Sequence, residues 1–153
     1  MTQPPGSAPG GPAGPGRPQE FGWLLSQFAS STPGVKFALI VSSDGLALVE
    51  SGTLPADFVD PMAALTSGMI SLSNNIARHV GESGCDQIML KFAAGHLLFM
   101  SIGTLAGLVV LVGEGANLGA VAHQMTQFVG GAGHVLTPQM RDDLRQMTVR
   151  ATS

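Results

Sequence analysis

Apolar residues recur along this chain with two periods, and each period marks one kind of element. Phe21, Leu24, Leu25 and Phe28 fall at i, i+3, i+4 and i+7 within EFGWLLSQFASS. That is the stripe of a short amphipathic helix, and Pro33-Gly34 ends it. From Val35 the period becomes two. Val35, Phe37, Leu39 and Val41 alternate with Lys36, Ala38, Ile40 and Ser42, so one strand face is strongly apolar and the other mixed. Asp44-Gly45 then predicts a tight reversal into a second strand, Leu46 to Glu50.

Asp60-Pro61 reads as an N-cap followed by proline at the first helical position, opening a long helix that runs to about His79 and stops near Gly81. Met62, Leu65, Met69, Leu72 and Ile76 step by three and four and form one large seam. A smaller seam, Ala63, Thr66, Ile70, Ser73 and Ala77, sits one residue on. Between Asp60 and Arg78 no residue is charged, and Ala64, Ser67, Gly68, Ser71, Asn74 and Asn75 are small or neutral. A helix lying on a sheet normally turns Lys and Glu outward. The expectation is therefore a sandwiched helix, with the large seam on its own sheet and the small face against a partner. The plainer alternative is a solvated Ser/Asn-rich helix of poor propensity.

Phe92 to Gly113, FAAGHLLFMSIGTLAGLVVLVG, holds no Asp, Glu, Lys or Arg and is long enough to cross a bilayer. Glycines and His96 interrupt it, however, and Lys91 and Glu114 at its ends give no positive-inside bias. It divides at Ala94-Gly95 and Gly103-Thr104 into the end of a strand begun at Asp86 and two further strands, His96 to Ile102 and Leu105 to Val112. Continuous apolar strands belong where both sheet faces are covered. Asn117 next caps a helix with Leu118, Val121, Met125 and Phe128 as its stripe, ending at Gly130-Gly131. Thr137-Pro138 opens a last short helix bearing Met140, Leu144 and Met147, which has either the domain or a partner to dock on. Most strand connections are too short for parallel crossovers. The fold class is thus an α/β sandwich: a central five-stranded, mainly antiparallel sheet with helices on both faces, in the order α-β-β-α-β-β-β-α plus a short C-terminal helix.

Composition adds limits. Residues 1–18 are almost all Pro, Gly, Ala and Ser and predict a flexible leader; residues 19–135 form one domain and 136–153 a short helical tail. The leader lacks the basic and apolar regions of a signal peptide, and the lone Cys85 suits a reducing cytoplasm, so a cytoplasmic location is expected. Only 11% of the 153 residues are charged, against about 25% in ordinary domains. A small monomer needs a charged skin to stay soluble, so part of this surface is expected to be covered. With a formal net charge of −3 and two lysines, Lys36 and Lys91, the chain has no basic stripe for nucleic acid.

Catalytic patterns are sought and not found. In GEGANLG, Gly113 to Gly119, the third glycine falls one place late for a dinucleotide loop, and no strand follows the helix. There is no GxxxxGK[ST], GxSxG, CxxC or HExxH, and His79, His96, His123 and His134 lack metal-ligand spacing. The expectation is no enzyme, no catalytic residue, no cofactor and no metal.

The order of elements resembles the Roadblock/dynein light-chain family over about Glu20 to Gly131. The stretches that carry the likeness are FGWLLSQFASSTPGVKFALIVSSDGLAL, the long uncharged helix, QIMLKFAAGHLLFMSIG, LAGLVVLVG and the ANLG helix start. The resemblance implies a Roadblock/profilin-like sandwich and a homodimer in which the helix Pro61–His79 and the strand Gln87–Phe92 meet their copies. The interface would then use Ala63, Thr66, Ile70, Ser73, Ala77, Ile88 and Leu90. It also implies a non-catalytic regulator or scaffold of a bacterial Ras-like small GTPase, in a sensor-kinase-linked module whose members share the Pro-rich leader and the tail. Ser67, Ser71, Asn74, Asn75 and Arg78 become the GTPase-facing positions. With no membrane span of its own, such a chain is at most recruited to a membrane complex. The alternative is a profilin-like module that senses a small molecule.

Overall fold

The computed structural model describes residues 18–52 and 54–152. The proposed leader lies outside the described residues, except Pro18, where the first helix begins. Nine elements follow in order: α1 (Pro18–Ser31), β1 (Val35–Ser42), β2 (Ala47–Glu50), α2 (Ala56–His79), β3 (Gln87–Phe92), β4 (Gly95–Ile102), β5 (Ala106–Gly113), α3 (Leu118–Val135) and α4 (Pro138–Thr152). The five strands form one sheet in the order β2-β1-β5-β4-β3, and every neighbouring pair is antiparallel. The apolar run therefore crosses the middle of a sheet, as expected. Among the described residues no helix is long and apolar enough to cross a membrane.

Strand alternation sorts the core into two layers. Ala38, Ile40, Leu98, Met100, Leu108 and Val110 face a layer built with α1, α3 and α4. Phe37, Leu39, Val41, Leu97, Phe99 and Val109 face the opposite way, towards α2. On α1 the predicted stripe is seated: Phe21, Leu25 and Phe28 are buried, and Phe28 meets Phe128 of α3 with ring centroids 5.5 Å apart. Gly45, at φ 93°, makes the β1–β2 reversal in a region that only glycine adopts cheaply. Gly95 has a different reason. A Cβ there would run into the Val112 carbonyl oxygen, so only glycine lets β4 lie this close to β5.

Three boundaries differ from the sequence reading, each because packing overrides a local signal. α2 begins at Ala56 and keeps Pro61 inside it; Asp60 is not its cap. Proline this near a helix start costs one backbone hydrogen bond. The added turn offsets that by burying Val59 and setting the Phe58 ring edge-on to Phe37 at 5.2 Å. α3 continues through Gly130-Gly131 to Val135, because Ala132 beyond them is buried in the core. Its start is as predicted, with the Asn117 side chain accepting from Ala120 N–H at 3.0 Å. The β3–β4 reversal falls at Ala93-Ala94, one residue before the glycine.

α4 docks on its own domain. Met140 and Leu144 are buried in the same core layer as Leu48 and Val49 of β2, and Thr137 Oγ1 accepts from Met140 N–H at 3.1 Å. Arg145 forms an ion pair at 3.0 Å with Asp44 in the β1–β2 turn. The Asp44 carboxyl is held below its ordinary value chiefly by a hydrogen bond from Ser42; burial opposes that shift, and the positive charge of Arg145 adds a smaller lowering.

A candidate docking surface on the second helix and the open sheet edge

α2 lies on the sheet by its small seam, not its large one. Ala63, Thr66 and Ala77 are buried against the sheet beneath them, and Thr66 Oγ1 returns its hydrogen to the Met62 carbonyl at 2.8 Å. Ile70 and Ser73 are half-buried on the same side. The expectation that Ala63, Thr66, Ile70, Ser73 and Ala77 meet a second chain is therefore corrected: this side of the helix is occupied within one chain. The reason is volume. Phe37, Leu39, Leu97, Phe99 and Val109 already fill that sheet face, and only small residues let the helix axis come close enough to pack at interior density.

The large seam consequently points away from the protein. Leu65, Leu72 and Ile76 are 67%, 65% and 64% exposed, and Val80 at the helix end is 65% exposed. Phe58, Leu65 and Leu72 repeat every seven residues, as do Met62, Met69 and Ile76, which is the pattern of a helix-pairing seam. Met62 and Met69 are half-buried at its margin and tie it to the core.

β3 continues this strip. It is an edge of the sheet, bonded to β4 alone, and its register places Ile88 opposite Phe99 and Leu90 opposite Leu97, on the α2 side. Ile88 is half-buried, while Leu90 and Phe92 stand exposed. Of the ten large apolar residues exposed among those described, seven lie on α2, its C-cap or the α2-facing side of β3. Such clustering separates a docking strip from the scattered apolar residues of any surface.

Beside the strip runs a polar ridge. Ser71, Asn75 and Arg78 are exposed, and Arg78 donates to Asn75. Ser67 and Asn74, assigned to the same face by the sequence, are committed inside the chain. Ser67 Oγ donates to the Ser43 carbonyl at 3.0 Å, and Asn74 Oδ1 accepts from Cys85 N–H at 3.1 Å, fixing the loop that leads into β3. Asp57 and Asp60 mark the start of α2 and Arg78 and His79 its end, with nothing charged between. The arrangement is suited to burial against another macromolecule.

The Roadblock/LC7 domain model matches residues 21–112. The chain belongs to the Roadblock/LC7 domain family. The match covers α1 to β5 and so includes both parts of the docking strip. A Roadblock/LC7 domain from Streptomyces avermitilis superposes with a TM-score of 0.69 at 28% identity, over 76% of this chain and 98% of that one. A second Roadblock/LC7 domain structure from that organism gives 0.60 at 30% identity, over 73% and 97%. MglB of Myxococcus xanthus shares the fold, with a TM-score of 0.65 at 20% identity over 72% and 87%. No curated protein sequence matches the chain. As a Roadblock/LC7 domain the chain has the five-stranded antiparallel sheet and flanking helices that its sequence predicted.

Proposed function

We propose that this protein is a non-catalytic homodimeric regulator or scaffold for a bacterial Ras-like small GTPase in a sensor-kinase-linked signalling module. The observation that carries the reading is the exposed strip formed by Leu65, Leu72 and Ile76 together with Leu90 and Phe92 of the open edge. Burying each such side chain stabilises an assembly by about 1.5–3 kcal/mol, and two copies contribute twice the set. That is the scale needed to offset the roughly 4–15 kcal/mol cost of association. A second copy also suits the charges: antiparallel pairing sets the acidic start of one α2 beside the basic end of the other, with opposed helix dipoles. Two β3 edges pairing would satisfy the backbone groups that a lone edge leaves open.

The dimer interface is accordingly assigned to Leu65, Leu72, Ile76, Leu90 and Phe92, with Ile88 beneath them. The ridge of Ser71, Asn75 and Arg78 stays outside that seam and is the GTPase-facing surface. Its lack of carboxylates and lysines lets a partner come close with little charge to desolvate. The test is titration calorimetry with the Ras-like GTPases of the same cell, each loaded with GDP or a slowly hydrolysed GTP analogue. Binding that depends on the nucleotide and weakens by about 1–3 kcal/mol in Ser71→Lys is the expected result. No binding by any such GTPase contradicts the reading.

A further inference from the structure

At the end of the sheet where β1 and β4 finish, the second half of α2 does not close on the strands. Small residues stand there: Ser101 on β4, Gly103 in the turn, and Ala106 and Gly107 opening β5. The Phe99 ring lies against Gly107, where a Cβ would collide with it. A cavity of about 290 Å³ remains between this floor and Ile70, Asn74 and Arg78, which fall four apart on one face of α2. Its remaining wall is the loop into β3, Ser83 to Asp86. Three hydrogen bonds hold that loop. Asn74 Oδ1 accepts from Cys85 N–H at 3.1 Å, Cys85 Sγ donates to the Gln87 carbonyl at 3.2 Å, and Ser101 N–H donates to the Asp86 carbonyl at 2.9 Å.

We propose that this cavity binds a small zwitterion with an apolar tail, the chemistry of a free α-amino acid. Its lining carries one guanidinium, Arg78, and one carboxylate, Asp86. Among the described residues neither enters an ion pair, and Arg78 donates to the neutral Asn75 of its own helix. Both charges are therefore open to a ligand that brings one of each sign. The ligand carboxylate pairs with Arg78 and its ammonium with Asp86, while the tail covers Ile70 and Phe99. The hydroxyls of Ser83, Ser101 and Thr104 stand on the same lining and take up the remaining polar groups. A simple anion would face Asp86 and a simple cation Arg78, so the pair of walls rejects both. The volume lies at the small end of ligand pockets, which run from about 300 to 1,000 Å³, and suits a molecule of this size. The site lies within one chain and stands whether or not a second copy or a GTPase binds elsewhere.

The experiment is titration calorimetry of the full chain with L-leucine, L-methionine and L-phenylalanine, each taken to about 10 mM, beside glycine and the N-acetyl and amide form of each. At least one of the three should bind. Its N-acetyl form lacks the ammonium, its amide lacks the carboxylate and glycine lacks the tail, so each should bind about tenfold more weakly or worse. Arg78→Gln and Asp86→Asn should each weaken the binder by about tenfold. Both side chains are exposed in the chain, so an unchanged thermal melt verifies the fold of each variant. Asp86 stands apart from the ridge of Ser71, Asn75 and Arg78, so Asp86→Asn reads the cavity alone. Binding of none of the three, equal binding of the blocked forms, or undiminished binding in either variant overturns the proposal.

Discussion

The two edges of the sheet are treated in opposite ways. β2 is four residues long and is covered: α4 places Met140 and Leu144 against it and fastens Arg145 to the turn before it. β3 is six residues long and bare, with apolar side chains on both faces and an apolar helix surface alongside. Exposed strand edges invite pairing with other chains, and proteins shorten, charge or cover the edges they do not use. Here one edge is closed by a helix with five of its fifteen residues charged, and the other is open without a neutralising device beyond Lys91. The difference teaches that the fold spends a helix on the β2 side of the sheet and leaves the β3 side uncovered among the described residues.

That contrast can be broken from either end. The largest effect is expected at the open edge. Leu72→Glu would place an unpaired carboxylate in the proposed seam and cost the dimer about 3–5 kcal/mol, enough to give single chains at micromolar concentration. Because Leu72 is already exposed within one chain, the fold itself should survive, and circular dichroism should show native helix content. Leu144→Ala acts at the closed edge. It removes a side chain only 2% exposed, so chemical denaturation should report a loss of about 2–4 kcal/mol with no change of surface at β3.

A smaller effect sharpens the comparison. Asp44→Asn deletes the ion pair that pins α4, and since both partners are largely solvated the expected cost is about 0.2–1 kcal/mol in low salt. The same carboxylate gives a pH signature, set first by its hydrogen bond from Ser42 and to a lesser degree by Arg145. A carboxyl held below its ordinary value contributes its stability above the unfolded pKa, about 4, and loses it as pH falls through the lower folded value. Melting of the wild type should therefore drop below pH 4 slightly more than that of Asp44→Asn.

Much of this architecture was legible in the sequence because it rests on periodicity. The alternation of Val35 to Ser42, the Asp44-Gly45 reversal and the Asn117 cap each encode their own element locally. The apolar run from Phe92 was resolved into strands by its glycines and by the absence of membrane anchors. What the pattern left undetermined was which side of α2 faces inward. Two parallel seams, one large and one small, satisfy helical spacing equally well, and the usual preference for burying the larger one gave the reversed answer. The choice is made by the sheet beneath, where Phe37, Leu97 and Phe99 pack with Val59 and Ala63 of the helix and leave Met62, Met69 and Ile70 only partly buried against them. Strand residues that pack on α2 lie up to about 50 positions away in the chain, so no local window contains that information. Boundaries at Pro61 and Gly130 were misplaced for a related reason: each breaker is overruled by a side chain seated beyond it. Ser67 and Asn74 show the same limit at the candidate surface, since their hydrogen bonds go to Ser43 and Cys85 in distant turns.

The most direct measurement is sedimentation equilibrium of the unmodified chain across low to high micromolar concentration. The exposed seam of Leu65, Leu72 and Ile76 beside an open β3 predicts twice the chain mass, falling to the single-chain mass in Leu72→Glu. A wild-type chain that stays single at about 100 μM, where even the weak interfaces of this size class associate, would contradict the account.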